Sequence, residues 1–153
     1  DVIITIASAP SASLMSAHVR AGTHLACMGT DTVGKQEVEP ALLARATVFT
    51  DEVAQSISIG EAQHAVALGL VEAAAMVPIG DVLIGTHPGR RSESEITLFD
   101  GTGVGLQDLA VAAMAATRAR ERGIGQDVET RELHCRHRMG KAKGPAVFAG
   151  PLQ

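Results

Sequence analysis

Aromatic residues are nearly missing from this sequence. The 153 residues include no Trp, no Tyr and only three Phe. Single-stranded nucleic acids are bound by stacking their bases on aromatic side chains, and quaternary ammonium groups are bound in aromatic cages. The net charge of −4 also gives no basic surface for nucleic acid. We therefore expect no nucleic-acid partner and no aromatic cation site.

Cysteines and long apolar runs are scarce as well. The two cysteines, Cys27 and Cys135, indicate a reducing compartment rather than a disulfide scaffold, so a cytoplasmic location is expected. No apolar run reaches the roughly 18 residues of a membrane span, and no signal-peptide pattern opens the chain. The histidines and cysteines lack zinc-ligand spacing, so no metal is expected. A strand-like run begins directly after Asp1 without an initiator Met, which predicts a fragment of a longer protein.

Apolar runs alternate with segments of helical periodicity. Short β-branched runs bounded by small residues predict strands, whereas apolar residues at i, i+3, i+4 and i+7 predict helices. Alternating strands and helices form parallel β-α units, so the expected fold class is α/β. The predicted strands are 2–7, 23–28, 47–50 and 96–99, and the main predicted helices are 14–19, 38–46, 56–70 and 106–122. The apolar stripe of the last helix is Leu106, Leu109, Ala110, Ala113, Met114 and Thr117.

The C-terminal segment 130–153 has a different composition. It contains a cluster of Arg, Lys and His residues, then small residues, and shows no periodicity. Clusters of like charge are usually solvated and unstructured. We therefore divide the chain into one domain at 1–129 and a basic tail at 130–153 that is disordered or foreign to the fold.

Two loops carry the candidate chemistry. Loop 28–35 follows a predicted strand and holds Asp31 and Lys35, a carboxylate and an ammonium that could serve acid/base and charge-stabilising roles. The alternative is a turn-forming Asp beside a solvated Lys. The glycine-rich loop Gly101–Gly105 could offer N–H groups to an anion, or it could be only a tight β-α connection. Parallel units place both loops at one edge of the sheet.

Segment 23–37 resembles the G-x-H-x-x-x-x-G-x-D-x-x-G-K-x-E motif of the ornithine cyclodeaminase/mu-crystallin family. Segment 96–103 with Gln107, Asp108 and Leu109 resembles the family's second characteristic segment. The likeness runs over 1–129, and segments 28–31, 49–56 and 99–109 are most similar to its iminosuccinate reductase branch. The resemblance implies a partial Rossmann-type NAD(P)-binding domain, which is a parallel sheet with flanking helices. A crossover helix would follow this domain. The family's upstream G-x-G-x-x-[GAS] turn, ribose-binding acid and substrate-binding Arg and Lys have no counterpart in this chain.

The resemblance also implies roles for individual residues. Asp31 would be the acid/base and would contact substrate, Lys35 would lie near the nicotinamide, and Thr102 would lie beside the substrate. The cofactor is expected to be NAD or NADP. The residues expected to contact it are Ala7 or the neighbouring Ser8, Ala26, Cys27, Met28, Gly29, Lys35 and Gly101.

The activity that the resemblance implies is NAD(P)-dependent reduction of an imino acid to an amino acid, by a homodimer in its full-length form. One alternative is an ornithine cyclodeaminase, which converts ornithine to proline and ammonia on a bound cofactor. Another is a binding protein without turnover, or an inactive truncated product. The presence of both Asp31 and Lys35 favours an enzyme, because a protein that only binds has no need of an acid.

Overall fold

The computed structural model describes residues 1–126 of the chain, which form a parallel sheet with helices beside it. The sheet has five strands in the order β1-β2-β5-β3-β4, and every neighbouring pair is parallel. β5, the last strand in sequence, lies between β2 and β3. The strands are β1 Val2–Thr5, β2 His24–Cys27, β3 Ala46–Thr50, β4 Val77–Pro78 and β5 Ile96–Asp100. The α/β prediction and its four strands are confirmed.

The helices are short except for the last. The α-helices are α1 Pro40–Leu43, α2 Val53–Ser58, α3 Gln63–Ala67, α4 Ile79–Leu83 and α5 Gly105–Glu121. Single 3₁₀ turns occur at Ser16–His18 and Ala73–Ala75. Pro40 opens α1, where its missing N–H costs no helical hydrogen bond.

The predicted single helix 56–70 is wrong, because the chain turns at Gly60 between α2 and α3. A Cβ atom at Gly60 would lie 2.6 Å from Ser56 Cα and 2.7 Å from Asp100 Oδ2. The turn brings the N–H of Ala62 to the same Asp100 oxygen at 3.3 Å. A buried carboxylate and a glycine therefore interrupt a segment whose periodicity predicts one helix.

The hydrophobic core lies on one face of the sheet. Leu25 of β2, Leu98 of β5 and Val48 of β3 are almost fully buried there, in one cluster with Leu42 of α1 and Ala65 of α3. Alternate residues of a strand point to opposite faces, and the alternate β1 residues Val2 and Ile4 are exposed. Burial of the core face is what holds the carboxyl ends of the strands in place.

The chain divides into two compact units, residues 1–115 and 116–153. Within the second unit, the described residues 116–126 form the end of α5 and the turn after it. The helix predicted at 106–122 is confirmed, but its apolar stripe is not buried: Leu106 and Leu109 are 71% and 64% exposed. No helix in residues 1–126 has the length and apolar character to cross a membrane. The basic tail predicted at 130–153 lies outside the described residues.

Candidate active site at the carboxyl ends of three strands

The ends of β1, β2 and β5 meet at one edge of the sheet, because these strands are consecutive neighbours. The N–H of Met28 donates to the carbonyl of Thr5 at 2.8 Å, and the N–H of Gly101 donates to the carbonyl of Cys27 at 2.9 Å. The two loops expected to share an edge therefore do so. The predicted cofactor residues at or beside these strand ends are Ala7, Ser8, Ala26, Cys27, Met28, Gly29 and Gly101.

At this edge of the sheet, some of the predicted cofactor residues are exposed and others are closely packed. Ala7, Ser8 and Met28 are exposed, Met28 by 42%. Gly101 is buried beside the Met28 thioether, which approaches so closely that a Cβ atom at Gly101 would lie 2.6 Å from Met28 Sδ. Gly29 is half-buried between Ala7 and the following segment. The result is a ledge of backbone and small side chains, together with the Met28 thioether.

Asp31 and Lys35 form an ion pair in the loop after β2. Lys35 Nζ lies 2.6 Å from Asp31 Oδ1, and the two side chains are 28% and 59% exposed respectively. The hydrogen bond from Lys35, with a second from Thr32, holds the pKa of Asp31 below its ordinary value. Asp31 is therefore an ionised carboxylate at neutral pH. The two predicted catalytic groups are in contact, next to the ledge in sequence.

The side chain of Cys27 points away from the edge into the core. Cys27 is 1% exposed, and burial raises the pKa of its thiol far above its ordinary value. A contact with a cofactor can come only from its backbone, since the thiol is enclosed. The preceding Ala26 is half-buried on the opposite face of the sheet.

Within residues 1–126 there is no group of three His, Cys, Asp or Glu side chains placed to hold a metal ion.

The glycine-rich loop after β5 is bound by a carboxylate that the sequence patterns did not identify. Asp51 Oδ1 accepts the N–H of Thr102 at 3.1 Å and its hydroxyl at 2.8 Å, and Asp51 Oδ2 accepts the N–H of Gly103 at 2.9 Å. The Thr102 hydroxyl also lies 2.8 Å from the side-chain amide of Gln55. Burial opposes ionisation of Asp51, but these hydrogen bonds outweigh it and lower its pKa. The loop therefore gives those two N–H groups to Asp51 rather than to a ligand.

Thr102, the predicted substrate contact, is 8% exposed and hydrogen-bonded to Asp51. Three further carboxylates, Glu37, Glu61 and Asp100, are buried beneath the same edge and accept hydrogen bonds there. A signal for Asp51 was available, since it directly follows the predicted strand 47–50. Asp100 gave the same signal, because it directly follows the predicted strand 96–99. Glu61 gave none, because hydrophobic patterning places carboxylates outside the core.

A parallel sheet with flanking helices, whose strand-end loops gather polar groups at one edge, defines an α/β domain, and this edge is where open α/β sheets bind their ligands. The ornithine cyclodeaminase/mu-crystallin family matches residues 1–123. The chain belongs to the ornithine cyclodeaminase/mu-crystallin family.

Individual relatives support this assignment. The iminosuccinate reductase of Paracoccus denitrificans is 57% identical over 129 residues, which cover 84% of this chain and 40% of the relative. The crystal structure of the iminosuccinate reductase of that organism in complex with NAD+ aligns with a TM-score of 0.78 at 56% identity, over 84% of this chain and 40% of the solved chain. An archaeal alanine dehydrogenase dimer with bound NAD aligns with a TM-score of 0.77 at 33% identity, over 84% and 41%. The chain thus spans about 40% of the length of the relatives it matches.

Proposed function

We propose that this chain forms part of an NAD(P)-dependent enzyme that reduces an imino acid to an amino acid, with iminosuccinate as the substrate. The Asp31–Lys35 ion pair in the loop after β2 carries the proposal, because an acid/base group in that loop could act on an imine bound beside the exposed strand ends. Similarity to the iminosuccinate reductase of Paracoccus denitrificans supports the choice of substrate.

The ledge at the ends of β1, β2 and β5 fits one face of a nicotinamide. Its surface includes the exposed residues Ala7, Ser8 and Met28. Peptide groups there can hydrogen-bond a carboxamide, and the thioether is a polarizable contact for an aromatic ring. Gly29, Ala26, Cys27 and Gly101 would contribute through their backbones, and Lys35 through its ammonium group. The charge of that ammonium would favour a phosphate or carboxylate nearby.

Reduced nicotinamide, when bound, supplies a hydride. A C=N carbon accepts hydride readily only when its nitrogen is protonated. The ionised Asp31 carboxylate can accept a hydrogen bond from that nitrogen, and it would hold or relay the proton there. Lys35 keeps Asp31 ionised and would stabilise negative charge on the substrate. One hydride and one proton together convert C=N to CH–NH, which balances the reduction.

Three finer features also belong to this proposal. The full-length protein would be a homodimer; the archaeal alanine dehydrogenase structure is a dimer. Its partners would be small imino and amino acids rather than nucleic acid or membrane. Thr102 would lie beside the substrate, and the enzyme would work in the cytoplasm.

An assay of the full-length product of the gene tests the substrate. It is incubated with NADH or NADPH and either iminosuccinate, formed from oxaloacetate and ammonia, or pyruvate with ammonia. Ornithine with NAD+ is the third arm. Cofactor oxidation that is fastest with iminosuccinate is expected. Turnover of ornithine alone would identify a cyclodeaminase, and binding of cofactor without turnover in any arm would identify a binding protein.

Replacing Asp31 with Asn tests the site. We expect Asp31→Asn to lower turnover by about 10²-fold or more, since that is the usual contribution of a positioned acid/base group. Asp81→Asn in α4 is the matched control and should keep the wild-type rate. A near-normal rate for Asp31→Asn would remove Asp31 from the mechanism.

A further inference from the structure

Glu37 joins the ends of β1 and β2 through its side chain. Its carboxylate is fully buried. The N–H of Ala7 donates to Glu37 Oε1, and the N–H of Gly29 donates to Oε2 at 3.0 Å. The Thr5 hydroxyl donates to Oε2 at 2.8 Å. One side chain therefore receives a backbone N–H from each of the two loops that follow adjacent strands.

The glycine at position 29 is what lets this carboxylate reach both loops. A Cβ atom there would lie 2.4 Å from Glu37 Oε1 and 2.4 Å from the carbonyl oxygen of Ala7. Real Cβ atoms do not come so close to oxygen, so any other residue would push Glu37 or the β1 end away. The absence of a side chain at Gly29 and the carboxylate of Glu37 are thus two parts of one arrangement.

The backbone of Glu37 is fixed on both sides. Its N–H donates to the buried carboxylate of Glu61 at 3.0 Å, and its carbonyl accepts the N–H groups of Ser13 and Leu14 at 2.9 and 3.0 Å. Glu61 also accepts the N–H of Val38 at 2.6 Å. A side chain anchored in this way places its hydrogen-bond partners within a narrow range of positions.

We propose that Glu37 is the positioning residue of the cofactor ledge, setting the distance between the backbone at Ala7 and the backbone at Gly29. The inference rests on the proposed function, because these residues belong to the proposed nicotinamide contacts. Both carboxylate oxygens must accept hydrogen bonds. A glutamine amide has one accepting oxygen, and its NH₂ group would face an N–H donor at the other loop. Substitution by Gln therefore releases one strand end while keeping the size of the side chain.

The first test needs no variant. In the wild-type chain, amide hydrogen exchange measured by NMR should show the Ala7 and Gly29 N–H groups protected, although both follow strand ends at an edge of the sheet. Free exchange at both positions would overturn the proposal.

The second test compares Glu37→Gln with Glu39→Gln. Glu39 is a matched control, because its half-buried carboxylate also accepts a backbone N–H, that of Ser16 at 2.6 Å, and Glu39 is not among the residues of the ledge. In Glu37→Gln, the protection of the Ala7 or Gly29 amide should fall by roughly tenfold or more, because one acceptor is lost. Affinity of the full-length protein for NAD+, measured by calorimetry at a temperature where both variants are fully folded, should fall about tenfold in Glu37→Gln only.

The outcomes separate this inference from the proposed function. Wild-type binding of NAD+ with unchanged affinity in the folded Glu37→Gln variant overturns the positioning role and leaves the proposed function standing. An equal loss of affinity in Glu39→Gln also overturns it, since the effect would then be one of general stability. Failure of the full-length wild-type protein to bind NAD+ at any concentration counts against both. If Glu37→Gln does not fold, Thr5→Ala takes its place, because it removes the third donor to the Glu37 carboxylate. Both amides should stay protected in this variant, and its affinity for NAD+ should be normal. Loss of the protection or of the affinity contradicts the proposal.

Discussion

Asp100 is fully buried at the end of β5, and its Oδ1 atom has no hydrogen-bond partner among the residues the structure describes. Its other oxygen accepts the Ser56 hydroxyl and the N–H of Ala62. Burial raises the pKa of Asp100 to about 6, and these hydrogen bonds only partly oppose that rise. The folded chain therefore binds a proton at Asp100 in a pH range where the unfolded chain, with an ordinary pKa of 3.8, has released it.

This difference predicts a pH dependence of stability. The stabilising contribution of protonated Asp100 is complete below pH 3.8 and is lost as the pH rises through about 6. A gap of about two pKa units corresponds to ~3 kcal/mol. The free energy of unfolding of the wild type, relative to Asp100→Asn, should fall by up to that amount across this window. Urea unfolding between pH 4.5 and 7 measures it.

Asp81→Asn serves as the comparison for this experiment and should give a pH profile parallel to that of the wild type. Parallel profiles for Asp100→Asn would show that Asp100 does not titrate in this window.

Individual site residues were predictable to different degrees. Asp31 and Lys35 stand in a strand-end loop that a sequence motif marks, and the structure brings their side chains into contact. Asp51 and Glu37 act on backbone N–H groups that are distant in sequence, such as that of Gly103 for Asp51. No local pattern encodes such a pairing, because it exists only after the strands have come together.

At the scale of elements, β5 and α5 differ in how far their apolar side chains are buried. Leu98 of β5 is fully buried, whereas Leu109 of α5 is 64% exposed. Both were predicted to lie in regular elements, and both do. The helical period of α5 fixes which residues share a face, but it does not specify what that face packs against. Its apolar side is uncovered in residues 1–126.

The contrast gives a stability prediction. Leu98→Ala should lower the free energy of unfolding by about 2–5 kcal/mol, because it removes buried methyl groups and leaves a cavity. Leu109→Ala should change it by less than about 0.5 kcal/mol, as expected for an exposed position. Denaturant titration of the two variants tests both values. A cost at Leu109 close to that at Leu98 would show that α5 packs against other residues in solution.

The predicted element boundaries erred where tertiary contacts override local pattern. The segment 56–70 has a helical stripe, yet Gly60 and Asp100 divide it into two helices. The two-residue strand β4 exists through its pairing of Phe49 with Val77. Such a short strand has no periodicity of its own to detect.

At the scale of the whole molecule, β1 is an edge strand with two exposed apolar residues, and a third follows directly after its end. Val2, Ile4 and Ile6 are 68%, 67% and 75% exposed. An uncovered apolar edge strand is a template for pairing with another chain. We expect concentration-dependent self-association of the 153-residue chain by light scattering, and Ile4→Lys should reduce it.

Val33→Lys provides the control for this prediction, because Val33 is 74% exposed but lies in a loop. A chain that stays monomeric at high concentration, or an equal effect of both substitutions, would contradict a role for the β1 edge.

The position of β5 in the sheet has a consequence for the order in which the chain can fold. β1 pairs with β2 and β3 pairs with β4, but only β5 joins the two pairs. Residues 1–95 are synthesised before this central strand, so the two pairs cannot be joined into one sheet until β5 is available. Joining them brings together residues up to 73 positions apart, such as His24 and Thr97. Contacts so distant in sequence slow folding, and the ledge at the ends of β1, β2 and β5 is complete only when synthesis has passed Gly101.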